Sequence, residues 1–206
     1  MAKKINTIFF DLGNVLVKFD TSILVEGYSK YGAVTHERFT RFLTSSREVN
    51  GYMEGKINSS LFYTRAKRLF GLKVKYAEFY DVWNSMFRKD LEMERAVRNI
   101  REKHGDIRLV LLSNTNEAHF DFIRREYGFL DLFDHYIVSH EVGHQKPDRR
   151  IFRAALKAGV TPANRSFYTD DMPRFIKAAR EMGMHAYQFT GYQDLKTTLE
   201  KFDIEI

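Results

Sequence analysis

The second half of the chain alternates short apolar runs with longer amphipathic segments, and this restricts the fold more than any other sequence feature. The apolar runs are typical of buried strands and span 107–112, 135–138, 166–169 and 184–189. The segments around them repeat apolar residues at helical spacing and span 94–103, 116–127, 148–158, 173–182 and 193–201. This alternation predicts an α/β fold, a Rossmann-like three-layer sandwich with a central parallel sheet.

One more strand is predicted near the start of the chain, separated from the others by a helical stretch. Residues 5–10 form an apolar run, rich in β-branched and aromatic side chains, that Asp11 interrupts. From about 22 to 87 the apolar positions follow helical spacing and no strand pattern is evident. Asn58 is expected to cap one of these helices and Gly71 to end it. The pattern predicts a small helical module inserted after the first strand.

Composition excludes several classes of protein. The 206 residues contain no cysteine, so disulfides, thiolate metal sites and cysteine nucleophiles are excluded, and a reducing compartment is expected. The apolar run at 5–10 is too short for a signal peptide and no later run could span a bilayer, so we expect a soluble cytoplasmic protein without membrane contact. Although the net charge is +6, the basic residues are interspersed with acids. We therefore expect no nucleic-acid partner and no obligate protein partner, but a modest attraction for small anions.

Polar residues follow the predicted strands at the positions where α/β sheets bind ligands. Asp11 follows the first strand, Ser113 the second, and the pair Asp170 and Asp171 the strand at 166–169. Lys146 stands between them, directly before a proline expected to start a helix. Since ligands bind beyond the carboxyl ends of parallel strands, these side chains are expected to converge.

This set of residues suits phosphoryl transfer. A carboxylate such as Asp11 can attack phosphorus and form an acyl phosphate, provided that cations cancel the repulsion between the two anions. Asp11, Asp170 and Asp171 would form an acidic site for Mg²⁺, which prefers oxygen ligands. Ser113 and Lys146 would then hold the phosphate. Each residue alone has an ordinary explanation as a turn former, helix cap or helix start; the prediction rests on their combination and order.

The motifs that contain these residues resemble those of the haloacid dehalogenase superfamily of phosphohydrolases. They are FFDLGNVLV, LSNTN, HQKPDRRIF and DDMPRFIKAAREMG. More narrowly, DLGNVLV, LSNTN, GHQKPDRRIF and YMEGKI are similar to the bacterial α-D-glucose-1-phosphate phosphatase branch of that superfamily. The resemblance implies a catalytic core at 1–19 and 92–206 and a small helical cap at 20–91.

The resemblance also implies a role for each site residue. Asp11 would be the nucleophile and a metal ligand, and the backbone carbonyl of Gly13 a second ligand. Asp170 and Asp171 would complete the Mg²⁺ shell. Phosphate would be bound by Ser113, Asn114 and Lys146.

Two positions depart from the superfamily pattern. Gly13 stands where a second aspartate usually serves as general acid and base, help that is worth about two to four orders of magnitude in rate. Either the leaving group departs without much protonation, or a residue such as Asp20, His144 or a cap side chain supplies the proton, or the protein turns over slowly or not at all. After the acidic pair, Met172 and Phe175 occupy positions that usually carry a small residue and an asparagine.

The cap offers weaker signals. Tyr52, Glu54 and Lys56 lie in a glycine-flanked stretch that could face the site or form an exposed turn, and Trp83 is expected in the core of the cap. The predicted activity is a Mg²⁺-dependent phosphatase that hydrolyses a small phosphorylated metabolite through an aspartyl phosphate, with a sugar phosphate such as glucose 1-phosphate as one candidate. A 2-haloacid dehalogenase and a non-catalytic phosphate-binding relative are the alternatives.

Overall fold

A computed structural model describes residues 4–206, so the first three residues of the predicted core lie outside the described part of the chain. Within it the strands are β1 (Thr7–Phe10), β2 (Val17–Phe19), β3 (Phe87–Lys89), β4 (Arg108–Ser113), β5 (His135–Val138), β6 (Ser166–Asp170) and β7 (His185–Gln188). The helices before β4 are α1 (Ser22–Ser29), α2 (His36–Ser45), α3 (Arg47–Met53), α4 (Ser59–Phe70), α5 (Tyr76–Asn84) and α6 (Leu91–Lys103). Those after it are α7 (Glu117–Glu126), α8 (Ser139–Val142), α9 (Arg149–Ala158), α10 (Pro173–Glu181) and α11 (Tyr192–Glu200).

Five strands form one parallel sheet in the order β5-β4-β1-β6-β7, which confirms the predicted fold class. The central strand β1 is buried on both faces because its side chains alternate: Ile8 and Phe10 join one apolar cluster and Phe9 the other. In the register of the sheet, Phe10 lies beside Leu111 of β4 and Thr169 of β6. The carboxyl ends of these three strands therefore lie side by side.

Helices α1 to α5 have an apolar core of their own. Its largest members are aromatic, among them Tyr28, Phe39, Phe62, Phe79 and Trp83. The predicted ends of α4 are confirmed: the Asn58 side chain accepts a hydrogen bond from the amide of Leu61 at 2.9 Å, and Gly71 adopts a left-handed conformation with φ 62°. The assignment of 20–91 as a separate cap stays a prediction.

The structure adds one element that was not predicted and corrects one expectation. A short antiparallel ribbon of β2 and β3 borders the predicted helical stretch at its two ends; strands of three residues are too short to display an alternation in the sequence. Pro147 does not begin α9, which starts at Arg149 after Asp148, whose carboxylate accepts a hydrogen bond from the amide of Arg150. Among residues 4–206, no helix combines the length and the apolar character needed to cross a bilayer.

Candidate active site

Three carboxylates converge at the carboxyl edge of the sheet. Asp11 follows β1, while Asp170 ends β6 and Asp171 comes directly after it. Each can offer one oxygen such that all three oxygens lie within 4.8 Å of one another. Asp11 and Asp170 are buried and Asp171 is half-buried. The structure thus brings together the three acidic residues that the sequence singles out.

Lys146 is fixed between two of these carboxylates. Its ammonium donates hydrogen bonds to Asp11 Oδ1 at 2.8 Å and to Asp170 Oδ2 at 2.5 Å. A third bond, at 2.9 Å, goes to the carbonyl oxygen of Leu112 at the end of β4. Since only 1% of its side chain is exposed, Lys146 is positioned by these bonds and contributes one permanent positive charge to the site.

Burial and charge oppose each other at this site. Burial raises the pKa of Asp11 to about 6, against the lowering effect of Lys146. Burial also raises the pKa of Asp171, although a hydrogen bond from Asn14 opposes the rise. Desolvation alone would lower the pKa of Lys146, but the neighbouring carboxylates raise it overall. The site thus disfavours the build-up of unbalanced negative charge.

Residues that the sequence analysis missed hold the acidic pair in place. The Tyr168 hydroxyl donates to Asp170 Oδ2, and the backbone amide of Met172 donates to the other oxygen of Asp170 at 2.8 Å. The Asn14 side chain donates to Asp171 Oδ2 at 3.2 Å. No sequence signal marks Tyr168 as more than an apolar strand residue. Met172 is one of the two positions that differ from the superfamily pattern. Because its hydrogen bond comes from the backbone amide, the bond does not depend on the side chain at this position.

Phe175, the other departing position, packs against the lysine. The Lys146 ammonium lies 5.1 Å from the centroid of the Phe175 ring and 5.7 Å from that of Tyr168. Both distances are within the range of a cation–π contact. An aromatic ring therefore stands beside Lys146 where related sequences usually carry an asparagine.

Ser113 and Asn114 follow β4 and have different surroundings. Within residues 4–206, the buried Ser113 makes no hydrogen bond through its hydroxyl and lines a cavity beside the carboxylates, so this hydroxyl can bind a phosphoryl oxygen. Asn114 instead accepts from the amide of Lys146 at 2.7 Å and donates to the carbonyl of Lys146 at 3.0 Å. Its first effect is to position the main chain that carries the lysine.

An aromatic ring lies where a side chain at position 13 would extend, the position at which the superfamily resemblance predicts a general acid. A Cβ atom added to Gly13 would lie 2.8 Å from Cε1 of Phe19 on β2, too close without a shift of that ring. Asp20 is a poor replacement, because hydrogen bonds from the Ser22 hydroxyl and amide lower its pKa. His144 is half-buried in the loop that leads to Lys146.

The cap residues differ from one another in their surroundings. Tyr52 is buried, and its hydroxyl accepts a hydrogen bond from the amide of Ala118 in α7, at 3.2 Å. The Glu54 carboxylate accepts a hydrogen bond at 3.4 Å from the side chain of Gln145, the residue before Lys146. Lys56 is exposed and forms an ion pair with Glu54. Trp83 is buried in the cap core as expected, but it also lines the cavity.

The donor set suits a hard divalent cation. Three carboxylates against one ammonium leave a formal charge of −2 when all four groups are ionised. Oxygen ligands of this kind are preferred by Mg²⁺ rather than by softer metals. Asp11, Asp170 and Asp171 are thus the residues that could hold such an ion, with the carbonyl of Gly13 as the further ligand proposed from the sequence.

A five-stranded parallel sheet flanked by helices, with three carboxylates at its carboxyl edge, defines an α/β protein of the Rossmann-like type with a ligand site at that edge. A model of the haloacid dehalogenase-like hydrolases matches residues 5–183, so the chain belongs to that family. This confirms the superfamily drawn from the sequence motifs. The resemblance to the glucose-1-phosphate phosphatase branch stays a prediction.

Three similar proteins match most of this chain. A D-ribitol-5-phosphate phosphatase of Bacteroides thetaiotaomicron is 24% identical over 191 residues, which cover 89% of this chain and 91% of that one. The structure of a HAD family enzyme from the same organism, in complex with magnesium and inorganic phosphate, has a TM-score of 0.82 at 23% identity and covers 93% of this chain and 98% of the other. A predicted HAD-like hydrolase of Porphyromonas gingivalis has a TM-score of 0.83 at 23% identity, with coverage of 98% and 100%. These structures share the fold.

Proposed function

We propose that this protein is a Mg²⁺-dependent phosphatase that hydrolyses small phosphorylated metabolites through a phosphoryl-enzyme formed on Asp11. The observation that carries the proposal is the convergence of Asp11, Asp170 and Asp171 within 4.8 Å, with the Lys146 ammonium 2.8 Å from the proposed nucleophile. A phosphatase among the relatives and a magnesium–phosphate complex among the structural neighbours support it.

The residues divide the reaction between them. A carboxylate oxygen of Asp11 forms a bond to phosphorus while the bond to the ester oxygen breaks, and the leaving oxygen keeps the electron pair and takes up a proton. Water then attacks the acyl phosphate at phosphorus, which releases phosphate and restores the Asp11 carboxylate. Lys146 neutralises charge beside Asp11, and the Ser113 hydroxyl binds a phosphoryl oxygen. Mg²⁺ at the three carboxylates would supply further positive charge and polarise a phosphoryl oxygen.

The resemblance to a phosphatase branch and one relative each suggest a substrate among the small phosphorylated metabolites. Resemblance to the glucose-1-phosphate phosphatase branch favours a sugar phosphate whose anomeric leaving group departs readily. The relative from B. thetaiotaomicron is named for a polyol phosphate, D-ribitol 5-phosphate. Both esters belong in the panel that tests the proposal.

The test is a panel of phosphate monoesters assayed for phosphate release with Mg²⁺ and with a chelator. We expect release that requires Mg²⁺ and that falls by at least about three orders of magnitude in Asp11→Asn. Asp131→Asn is the matched control, because Asp131 is exposed and remote from the three clustered carboxylates. Undiminished release by Asp11→Asn, or release that is insensitive to the chelator, would refute the proposal.

The same panel separates the two alternatives. A 2-haloacid dehalogenase would use Asp11 to attack carbon and would release halide from a 2-haloacid in the presence of chelator. A non-catalytic relative would be stabilised against unfolding by Mg²⁺ and phosphate, without turnover of any ester.

A further inference from the structure

A largely apolar cavity of about 320 Å³ lies between the cap and the candidate active site. On the core side it reaches Gly13, Ser113 and Asn114, so it lies next to the proposed phosphate-binding hydroxyl of Ser113. The opposite side carries two threonines, Thr21 and Thr44, and is otherwise apolar, with Phe19, Leu24, Leu43, Val49, Met53, Trp83, Met86 and Phe87. Its volume is that of a small-molecule site. With the phosphoryl group bound at Ser113, this cavity is the space next to it for the part of the substrate that carries the leaving oxygen.

Two polar side chains of this cavity, Asn116 and His119, are engaged with other protein groups, whereas the indole N–H of Trp83 is buried without a hydrogen-bond partner among residues 4–206. Asn116 caps α7 by accepting from the amide of His119 at 3.1 Å, and its amide nitrogen lies 3.0 Å from His119 Nδ1. The other ring nitrogen of His119 lies 3.1 Å from the carbonyl oxygen of Trp83. Burial lowers the pKa of His119 to about 3, so the ring is neutral. The cavity lining between residues 4 and 206 contains no Asp, Glu, Lys or Arg.

Aromatic rings form one wall of the cavity. Trp83 stacks on the neutral His119 ring with centroids 4.9 Å apart and an interplanar angle of 17°. Phe87 meets the same ring edge-on at 4.8 Å, and Phe19 lies edge-on to Phe87 at 6.3 Å. Such a wall favours flat apolar rings, which gain dispersion and aromatic contact. A polyol would lose most of its hydrogen bonds to water there, because only the Trp83 indole N–H and a few hydroxyl groups of the lining could replace them.

The missing general acid points to the same substrates. Phe19 occupies the space that a side chain at position 13 would need, and 38% of Phe19 remains exposed at the mouth of the cavity. A leaving group that is stable as an anion needs no proton in the transition state, and an aryloxide is far more stable than an alkoxide. Gly13 thus provides no acidic side chain, and Phe19 beside it adds apolar surface to the cavity.

We infer that the substrates are phosphate monoesters of apolar, aromatic alcohols, above all aryl phosphates, rather than sugar or polyol phosphates. This inference rests on the proposed function; among phosphate monoesters it selects aryl esters over the sugar and polyol phosphates that the resemblance and the relative suggest. In the reaction, Asp11 forms the bond to phosphorus, the bond between phosphorus and the aryl oxygen breaks, and the aryloxide leaves with the electron pair and is protonated by solvent. The phosphoryl group then passes from Asp11 to water.

The test compares kcat/KM for phenyl phosphate, benzyl phosphate and glycerol 3-phosphate with Mg²⁺. Benzyl and glycerol esters both leave as primary alkoxides, so their ratio measures recognition of the apolar ring; we expect benzyl phosphate to be favoured at least about tenfold. Phenyl phosphate should exceed benzyl phosphate because its leaving group is the better anion. Preference for glycerol 3-phosphate would overturn the inference and leave the phosphatase intact, whereas no release from any ester would overturn both.

A pair of variants ties the preference to the cavity. Leu43 is a half-buried lining residue in α2, and Leu43→Gln should lower kcat/KM for 1-naphthyl phosphate about tenfold while sparing glycerol 3-phosphate. Leu61→Gln is the matched control, because Leu61 lies in α4, is 39% exposed and is not part of the lining. Equal losses on both esters, or no loss on either, would contradict the assignment.

Discussion

At the scale of single residues, the site depends on a balance between burial and charge around Asp11. Desolvation disfavours its carboxylate, and Lys146 at 2.8 Å favours it. The same lysine pairs with Asp170, so one ammonium serves two acids while Asp171 relies on Asn14. A divalent cation at these carboxylates would neutralise their remaining negative charge. Because the cation favours the ionised form of Asp11, metal binding and protonation of Asp11 are linked.

Activity should therefore depend on pH in a way that changes with Mg²⁺. The pKa of Asp11 is raised to about 6, and only the ionised carboxylate attacks phosphorus, so activity falls as the pH drops through that value. Bound Mg²⁺ favours the ionised form and lowers the pKa. We expect the acid limb of kcat/KM to move to lower pH between subsaturating and saturating Mg²⁺. An acid limb at one fixed pH under both conditions would contradict this linkage.

Restoring the general acid should require two substitutions. In Gly13→Asp the new Cβ would meet Phe19 Cε1 at 2.8 Å, so this variant alone should show no gain. Gly13→Asp combined with Phe19→Ala should raise kcat for an alkyl phosphate by about 10²-fold, with a smaller gain for an aryl phosphate. Phe19→Ala alone is the control. A gain in Gly13→Asp by itself would show that Phe19 does not block the position.

At the scale of elements, the turn after α3 forms a close contact between the helical module and α8. Gly55 in this turn has φ 66°, and a Cβ there would lie 2.0 Å from the carbonyl oxygen of His140 in α8. The adjacent carbonyl of Met53 accepts a hydrogen bond from Ser139 at 2.6 Å. The turn therefore packs directly against α8, the short helix that follows β5.

Gly55 and Gly71 both have a positive φ, so substitutions at the two positions separate the strain of this backbone conformation from the effect of the contact between the turn and α8. Gly71→Ala at φ 62° meets nothing within 4 Å and should cost about 1–2 kcal/mol in the free energy of unfolding, the strain of the left-handed conformation. Gly55→Ala adds the clash with His140, so it should cost more and also raise KM. Urea unfolding and steady-state kinetics measure both quantities. Equal costs and an unchanged KM would mean that this turn does not control docking.

The sequence predicts the long elements well because their patterns are local. The strands at 107–112 and 135–138 and the cap and end of α4 need only spacing and capping residues, and the order of the motifs identifies the acidic edge. The ribbon of β2 and β3 is too short to show a pattern. Phe19 and Tyr168 join the site only through the three-dimensional arrangement of strands, which local spacing does not encode.

At the scale of the whole molecule, the helical module is joined to α7 by direct hydrogen bonds near the cavity. Ser59 of α4 donates to Glu117 of α7 at 2.5 Å, and His119 of α7 lies within 3.1 Å of the Trp83 carbonyl. The apolar cavity reaches Gly13 and Ser113 and so lies beside the carboxylates, which are not part of its lining. A ligand that fills the cavity would exclude water from the neighbouring charges and strengthen their electrostatic interactions.

Ligands that bind to the active site of the folded protein should stabilise it against unfolding. Mg²⁺ at 100 times its Kd adds about 2.7 kcal/mol to the free energy of unfolding and raises Tm, and phosphate should add to this only when Mg²⁺ is present. Asp171→Asn should lose most of the Mg²⁺ response, whereas the exposed Asp131→Asn should keep it. Thermal unfolding with and without chelator measures these shifts. An equal Mg²⁺ response in both variants would place the ion elsewhere.

The most direct test of the central claim is to trap the phosphoryl group on Asp11. The protein is quenched in acid during turnover of an aryl phosphate with Mg²⁺, digested, and its peptides are analysed by mass spectrometry. We predict one added phosphoryl group, located at Asp11 and absent when chelator replaces Mg²⁺. Steady phosphate release with an unmodified Asp11, or with the phosphoryl group on another residue, would contradict the account.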